Sequence, residues 1–257
     1  LYYVATEQGV FFGSEPAGLA LACGVRTAPN LVSAAMVLDR QYDAHLATEQ
    51  TGIWGQIKKL QPGETLEIEQ GRVIARCYDR PLDTSLRQRP ATVETLDQLL
   101  EDSVYHHQRS DVPFGMFLSG GVDSSALLAM MARLNDTAVT AYSLRFDSHT
   151  VADETEKAHL IARKTGAEFI EITYDRDMFW QQAGLAALAC DEPAADYAIL
   201  PTLCLAERAS QDVKVVLSGE GGDEFFAGYG RYRASRRLVG AKPLMRPGPA
   251  LKAGILR

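Results

Sequence analysis

The sequence lacks the features of a membrane-spanning or disulfide-stabilised protein. No apolar run approaches the roughly 20 residues that a transmembrane helix needs, and no secretory signal segment is recognisable. It has only four cysteines, and these are scattered without the CxxC spacing of a zinc site and without the pattern of a disulfide framework. We therefore expect no membrane association and a reducing, cytoplasmic setting.

The sequence also lacks an excess of basic charge. Lysine and arginine number 26 against 33 aspartates and glutamates, which gives a formal net charge of −7. This balance provides no general reason to expect nucleic acid or an anionic membrane surface as a partner. We expect small-molecule substrates instead, with a homodimer as a possible assembly.

A third absence concerns the common phosphate-binding motifs. The glycine-rich turn at 119–121 has neither the GxGxxG spacing of a dinucleotide fold nor the lysine that completes a Walker A loop. No lysine occurs between Lys59 and Lys157. What stands at this turn instead is SGGVDSS, which follows a short apolar run directly.

The segment 114–125, FGMFLSGGVDSS, predicts a buried strand, a turn and the start of a helix. Apolar residues fill the run before the turn, and after it they recur at helical spacing. Asp123 and Ser124 stand where a helix N-cap is expected. A strand that feeds a helix through a Ser-Gly-Gly turn directs several backbone N–H groups at one point, and glycine allows an anion to approach closely. The segment therefore predicts a phosphate cradle.

A second motif repeats this arrangement further along the chain. The apolar segment 214–217 predicts a buried strand, and SGEGGDE at 218–224 predicts a Ser-Gly turn that opens a helix with acidic residues. In an open parallel sheet, ligands lie outside the carboxyl ends of the strands. Two such turns on neighbouring strands would face one another across a single nucleotide.

Strands and helices alternate through the second half of the chain, as in a doubly wound parallel sheet. The predicted elements are a helix from Thr92, a strand at 139–146, a helix at 154–164, a strand at 168–172 and a helix at 178–189 with Asp177 as its cap. The first eighty residues predict short strands and turns instead. These comprise a hairpin of 2–5 and 10–13, a helix after Pro29, and strands at 57–60, 65–68 and 73–78.

An acidic segment at 191–196, DEPAAD, precedes a helix that is predicted to begin at Pro201. Its three carboxylates are consistent with plain capping at the surface. Because the segment stands just before the next strand of the predicted sheet, we favour the interpretation that it faces the nucleotide site.

Several of these segments resemble one family. SGGVDSS after an apolar strand resembles the pyrophosphate loop of the ATP pyrophosphatases, and LSGEGGDEFFAGYGRY resembles the asparagine synthetase signature. LYYVATEQGVFFGSEPAGL and KKLQPGETLEIEQGRV are similar to the last part of the glutaminase domain of asparagine synthetases. The sequence therefore resembles an internal fragment of a glutamine-hydrolysing asparagine synthetase.

The resemblance implies an α/β fold with a doubly wound parallel sheet of the ATP-pyrophosphatase type, preceded by a β-rich remnant of an N-terminal-nucleophile glutaminase domain. The implied domains are an incomplete glutaminase part at 1–80, a linker at 81–90, and a synthetase domain at 91–257 that is truncated at its C-terminus. No residue matches the family's N-terminal cysteine nucleophile or its catalytic lysine beyond the second motif. We therefore expect the fragment alone to be inactive.

The resemblance also implies a reaction and a set of site residues. Aspartate would react with ATP to give a β-aspartyl-adenylate and pyrophosphate, and ammonia, free or from glutamine, would then give asparagine and AMP. Asp123 and Asp223 would hold Mg²⁺, and Glu220 would be the catalytic carboxylate. The implied ATP- and pyrophosphate-binding residues are Leu118, Ser119, Gly120, Gly121, Val122, Asp123, Ser124, Leu144, Ser218 and Gly219.

Two alternatives to asparagine synthesis stay open at the level of sequence. The same scaffold resembles β-lactam-forming synthetases and amidotransferases that use another acceptor carboxylate, because the two phosphate loops do not define the acceptor pocket. The second alternative is a non-catalytic protein that binds a nucleotide and regulates or scaffolds a partner.

Overall fold

The computed structural model of the protein describes residues 1–25, 28–40, 53–78, 92–147, 154–192, 196–230 and 232. These residues form two compact units. The first unit comprises 1–98, 146–148 and 174–208, and the second comprises 99–145, 149–173 and 209–257. The linker predicted at 81–90 lies outside the described residues, and the predicted division into domains stays a prediction.

Nine strands and eight helices occur in the described ranges. The strands are β1 (Tyr2–Thr6), β2 (Gly9–Gly13), β3 (Lys58–Lys59), β4 (Glu64–Glu69), β5 (Arg72–Tyr78), β6 (Phe114–Phe117), β7 (Thr140–Phe146), β8 (Glu168–Tyr174) and β9 (Val215–Leu217). The helices are α1 (Pro16–Cys23), α2 (Leu31–Arg40), α3 (Val93–His107), α4 (Val122–Leu134), α5 (Thr155–Thr165), α6 (Arg176–Ala189), α7 (Ile199–Ala209) and α8 (Gly222–Phe226). Each of these helices and strands matches a segment in which the sequence pattern predicts that type of element, apart from α1, for which no helix is predicted.

The first unit contains the short antiparallel strands of the N-terminal region. β1 and β2 form the predicted hairpin, and β3 pairs antiparallel with the other edge of β1. β4 and β5 form a separate two-stranded hairpin. Val4, Leu19, Ala20 and Ile57 are buried together and form the core between the strands and α1.

The second unit contains most of a four-stranded sheet with the strand order β8-β7-β6-β9. The central strand β6 pairs in parallel with β7 on one side and with β9 on the other, so that Met116 is in register with Ala141 and with Leu217. The chain therefore builds the sheet outward through β7 and β8 and returns to the opposite edge of β6. This reversal of strand order is a topological switch point, and it places the carboxyl ends of β6 and β9 side by side.

Apolar residues from the sheet and from the helices that cover it form the core of the second unit. A strand buried on both faces reads as a continuous apolar run, as β6 does. The buried members of this core are Val104, Met116, Leu118, Leu128, Met131, Val139, Ala141, Ala158 and Ala162. The parallel sheet with packed helices confirms the predicted α/β class.

Three predictions of where a helix begins are wrong, each by two or three residues. The N-cap of α6 is Asp175, whose carboxylate accepts a hydrogen bond from the Met178 N–H at 2.8 Å, and not Asp177. Helix α7 begins at Ile199, two residues before the predicted proline. The N-cap of α4 is Gly121, so that Asp123 lies within the first helical turn.

Among the helices of the described residues, none has both the length and the apolar composition that a membrane span requires.

Candidate nucleotide site

The first loop, residues 118–121, follows β6 and is held by hydrogen bonds of its own. The N–H of buried Leu118 donates to the carbonyl of Tyr142 at 2.8 Å, which extends the sheet by one residue. The hydroxyls of Ser119 and Ser124 are 3.0 Å apart, and the N–H of Gly121 donates to the Ser119 hydroxyl at 3.2 Å. Hydrogen bonds of the two serine hydroxyls therefore hold the shape of the turn without a ligand.

Gly120 is the residue of this loop that no other amino acid can replace without strain. Its φ is +79°, a left-handed conformation that favours glycine. A Cβ placed there would also lie 2.7 Å from the carbonyl oxygen of Glu154 and 2.9 Å from the amide nitrogen of Ala158. The start of α5 therefore packs directly on the backbone of the first loop.

The start of α4 carries the acidic residue of the first motif. Asp123 is half-buried in the first helical turn, and Val122 before it is exposed. Ser124 is buried, and its hydroxyl also lies 3.3 Å from the Gly121 carbonyl. Because the capping position belongs to glycine, the Asp123 carboxylate makes no capping bond to its own helix. The N-terminal end of this 13-residue helix favours negative charge.

The second loop, residues 218–221, follows β9 and leads into the short helix α8. Ser218 and Glu220 are exposed, whereas Asp223 is half-buried in the first turn of α8. Glu224 accepts a hydrogen bond from the Tyr229 hydroxyl at 2.7 Å. The second loop therefore presents a serine and a carboxylate to solvent.

The second loop and the first residue of α8 lie in direct contact with the start of α4, just after the first loop. A Cβ placed on Gly222 would lie 2.5 Å from Cγ and 2.6 Å from Oδ2 of Asp123, and one placed on Gly219 would lie 2.9 Å from the backbone nitrogen of Ser124. The second loop can approach α4 this closely only because glycine stands at both positions. These contacts bring the second loop beside the start of α4. That the two turns face one another across a single nucleotide stays a prediction.

Leu144 lies on β7 beside the end of the first loop. β7 and β6 are in register at Tyr142 and Phe117, and the Tyr142 carbonyl faces β6. Because backbone groups alternate along a strand, the N–H and carbonyl of Leu144, two residues further on, lie on the same edge of β7. They face the space beyond the end of β6, where the chain turns at Ser119.

Two carboxylates of the acidic segment are bound to groups of the first unit. Asp191 accepts a hydrogen bond from the Ala17 N–H at 2.8 Å with its carboxylate, and one from the Trp54 indole N–H at 2.9 Å with its backbone carbonyl. Glu192 forms an ion pair with Lys59 at 2.7 Å. The interpretation that the segment faces the nucleotide site stays a prediction, and residues 193–195 lie outside the described residues.

The ion pair of Lys59 and Glu192 shifts the pKa values of its neighbourhood. Burial lowers the pKa of Lys59, but the hydrogen bond and the charge of Glu192 outweigh burial, so that the pKa is raised above its ordinary value. The Lys59 ammonium also lies 5.3 Å from the centre of the Tyr2 ring, a cation–π distance. Burial, followed by the neighbouring Glu192 carboxylate, raises the pKa of the Tyr2 phenol.

Two features of the site escaped the sequence patterns. Gly222 appears in the second motif as one more turn glycine, yet it forms the contact with Asp123. Lys157 lies on α5 beside Gly120, although the spacing of the first motif excludes a lysine within the loop itself. Both depend on which elements become neighbours in the folded sheet. The paired glycines of the second motif were the available signal for Gly222, and no sequence signal marked Lys157.

Comparison with known proteins gives a consistent family. The family model described as Asparagine synthase matches residues 95–256, which is more than half of the chain. Asparagine synthetase (glutamine-hydrolysing) 1 of Bacillus subtilis is 30% identical over 261 residues, which cover 100% of this chain and 39% of that protein. Amidase chyE of Penicillium rubens is 30% identical over 171 residues, covering 61% of this chain and 25% of that protein.

Among solved structures, the glutamine-dependent NAD+ synthetase of Acinetobacter baumannii in complex with adenosine diphosphate is similar to this chain. The identity is 23% and the TM-score is 0.40, over 55% of this chain and 28% of that chain. This chain spans about two fifths of the Bacillus subtilis relative. The matching family model covers the region that contains both loops. The chain therefore belongs to the asparagine synthase family.

Proposed function

We propose that the protein is an ATP-dependent amide-forming ligase that converts aspartate to asparagine, with glutamine or ammonia as the nitrogen source. The observation that carries this proposal is the contact of the second loop with the start of α4 at the adjacent carboxyl ends of β6 and β9. Ligands of open parallel sheets lie at such a point. Membership of the asparagine synthase family supports the reaction type.

We assign the nucleotide to the carboxyl ends of β6 and β9, outside the sheet. The phosphates would meet the N–H groups and hydroxyls of the first loop and the start of α4, and the second loop would contact the nucleotide as well. The backbone of Leu144 faces the space beyond the end of β6 and would contact adenine. The residues assigned to ATP and pyrophosphate are Leu118, Ser119, Gly120, Gly121, Val122, Asp123, Ser124, Leu144, Ser218 and Gly219.

Asp123 and Asp223 are suited to hold Mg²⁺ together with the phosphates. Both carboxylates are half-buried, and Asp123 lies against the loop that carries Asp223. Across the ranges that the structure describes, no group of three or more His, Cys, Asp or Glu side chains forms a complete metal cage. Mg²⁺ bound by one or two carboxylates plus substrate phosphates needs no such cage. The ion would neutralise charge that develops on the pyrophosphate leaving group.

The chemistry proceeds in two steps. A side-chain carboxylate oxygen of aspartate attacks the α-phosphorus of ATP, and the bond from that phosphorus to the bridging oxygen breaks to release pyrophosphate. The nitrogen of ammonia then attacks the acyl carbon, and AMP leaves with the bond electrons. One proton must leave the attacking nitrogen, and we assign its acceptance to Glu220, the exposed carboxylate of the second loop.

The test is exchange of labelled pyrophosphate into ATP by the intact protein. We expect exchange that requires aspartate and that Asp123→Asn lowers by about 100-fold or more, the loss typical of removing a transition-state electrostatic contact. Glu220→Gln should slow asparagine formation with ammonia. Exchange that does not depend on aspartate but is stimulated by another acid would assign a different acceptor. Other acids should be tried because one similar protein is named as an amidase and not as an asparagine synthetase. ATP binding without any exchange would favour the non-catalytic, nucleotide-binding role, and absence of both would contradict a nucleotide site.

We further propose a reducing, cytoplasmic location, since the four cysteines are unpaired. Association as a homodimer stays a prediction, and a mass measurement in solution would test it. Because this chain spans only 39% of the Bacillus subtilis relative, we propose the glutamine-hydrolysing step for the whole protein and not for this part of it.

A further inference from the structure

The first loop of the site lies against a lysine that its own motif lacks. A Cβ placed on Gly120 would lie 3.2 Å from Cβ of Lys157, and also in contact with Glu154 and Ala158 of the same helix end. Ala158 and Thr155 are buried, so the first turn of α5 is fixed on the loop. The stem of Lys157 therefore begins beside the middle of the Ser-Gly-Gly turn.

The ammonium of Lys157 is available to an anion at the turn. Its side chain is 68% exposed, and its partner is Glu154 at 3.3 Å, three residues earlier on the same helix end. Exposed pairs of this kind contribute little to stability, so the Lys157 ammonium can leave Glu154 for another anion at a small cost in free energy. Lysine carries its charge on a flexible four-carbon stem, which allows it to turn from Glu154 towards a group seated on the loop.

The charge around the two loops calls for such a cation. Asp123, Asp223 and Glu220 all carry negative charge, and the polyphosphate of ATP adds more. Two other cations of the second unit are paired elsewhere, Arg133 with Glu101 and Arg145 with Glu171. Lys157 is placed where positive charge would offset the repulsion between the phosphates and these carboxylates.

We propose that Lys157 is a phosphate-binding residue of this site and that its ammonium contacts the pyrophosphate part of ATP on the first loop. This inference rests on the proposed function, because it requires a nucleotide at the two loops. It assigns to the start of α5 the basic side chain that the SGGVDSS motif does not contain. The ammonium acts as a point charge with three donors, so arginine can replace it in part.

The test is calorimetric titration of the intact protein with inorganic pyrophosphate in the presence of Mg²⁺. We expect Lys157→Ala to weaken binding by about tenfold, the effect of one charge-assisted hydrogen bond, and Lys157→Arg to retain most of the affinity. The deficit of Lys157→Ala should shrink at high salt because the contact is partly exposed. Lys164→Ala is the matched control, since this lysine lies in the last turn of the same helix. Its affinity should equal that of the wild type.

The outcomes separate this inference from the proposed function. Unchanged affinity in Lys157→Ala, or equal losses in Lys157→Ala and Lys164→Ala, would overturn the role of Lys157 while exchange with aspartate still stands. A wild-type protein that binds neither ATP nor pyrophosphate would overturn the proposed function, and the inference with it. A rise in KM for ATP in Lys157→Ala that parallels the loss of pyrophosphate affinity would support both. Thermal unfolding of each variant confirms that α5 stays folded.

Discussion

The segment 218–224, which holds the second loop, and the acidic segment at 191–196 each carry three carboxylates but have different surroundings. Both bring carboxylates to the start of a helix near the end of the chain's α/β region. The segment 218–224 packs on the start of α4 through Gly219 and Gly222. The acidic segment, which belongs to the first unit, binds the N-terminal part of that unit through Asp191 and Glu192. An abundance of carboxylates therefore does not identify a ligand site, whereas the identity of the groups that contact them does.

Glycine accounts for much of the difference between these two regions. In the second loop, glycine removes the side chains at the two positions where α4 approaches. The acidic segment has the sequence Pro-Ala-Ala after its first two acids and contains no glycine. Its Asp191 accepts a hydrogen bond from a backbone N–H, and one oxygen of Glu192 pairs with an ammonium. These contacts make the acidic segment a structural connection within the first unit, whereas ligand binding is proposed for the second loop.

The comparison is tested most strongly by removing one charge from each region. Asp223→Asn should lower aspartate-dependent pyrophosphate exchange by about 100-fold, because the amide cannot supply the charge of a Mg²⁺ ligand. Asp191→Asn should leave the exchange rate close to that of the wild type. It should lower the free energy of unfolding by about 1 kcal/mol, because it weakens the contact with the Ala17 N–H. Equal losses of exchange in the two variants would contradict the distinction.

The contact between the loops is tested next by adding a single methyl group. Gly222→Ala places a Cβ 2.5 Å from Cγ of Asp123, so one loop must move. We expect a rise in KM for ATP of about tenfold and a loss of about 1–3 kcal/mol in stability, as for other overpacked sites. Gly230→Ala is the matched control, because a Cβ there meets nothing within 4 Å. Wild-type kinetics in Gly222→Ala would show that the loops are not held together as described.

The structural role of the acidic segment is tested by Lys59→Met. This change leaves the Glu192 carboxylate, whose side chain is 18% exposed, without its ammonium partner. Oε1 of Glu192 is already buried without a hydrogen-bond partner. We expect the free energy of unfolding, measured with denaturant, to fall by about 1–3 kcal/mol, with little change in exchange activity. Lys58→Met, one residue earlier on β3, is the control for effects on the strand.

The smallest expected effect is the pH dependence of that difference. The folded-state pKa of Lys59 is raised above its ordinary value of 10.5, so the contribution of the pair is fully present below that pH. It is lost as pH rises through the folded-state pKa. The gap in unfolding free energy between wild type and Lys59→Met should be constant near neutral pH and narrow above about pH 10.5. A gap that widens with alkaline pH would contradict the ion pair as its source.

The elements of the sheet and the two loops could be predicted because they depend on local patterns. A continuous apolar run followed by Ser-Gly-Gly predicts β6 and its turn, and a similar run predicts β9. The two similar turns suggested that β6 and β9 are neighbours, because ligands of open parallel sheets lie where the ends of adjacent strands meet at a switch point. Helix starts were less well defined, since Asp175 and Asp177 offer the same capping chemistry two residues apart.

The partners of the acidic segment could not be predicted from its sequence. A carboxylate pairs equally well with Mg²⁺, with an ammonium or with a backbone N–H, and the choice depends on which element the fold places beside it. Lys59, Trp54 and Ala17 are far from Asp191 and Glu192 in the chain. The same limit hid Lys157, because its proximity to Gly120 arises from the packing of α5 on the loop.

The strand order has a consequence for the order of folding. Two strands and four helices, α4 to α7, lie between β6 and β9 in the chain, and β9 is the last strand of the described sheet. Contacts across such a long loop form late, because closing the loop must precede the gain from the contact. The first loop can form with β6 and α4 alone, whereas its partner arrives only when β9 docks. A nucleotide would therefore bind and stabilise only chains that have completed the sheet, so ATP binding reports on the last stage of assembly.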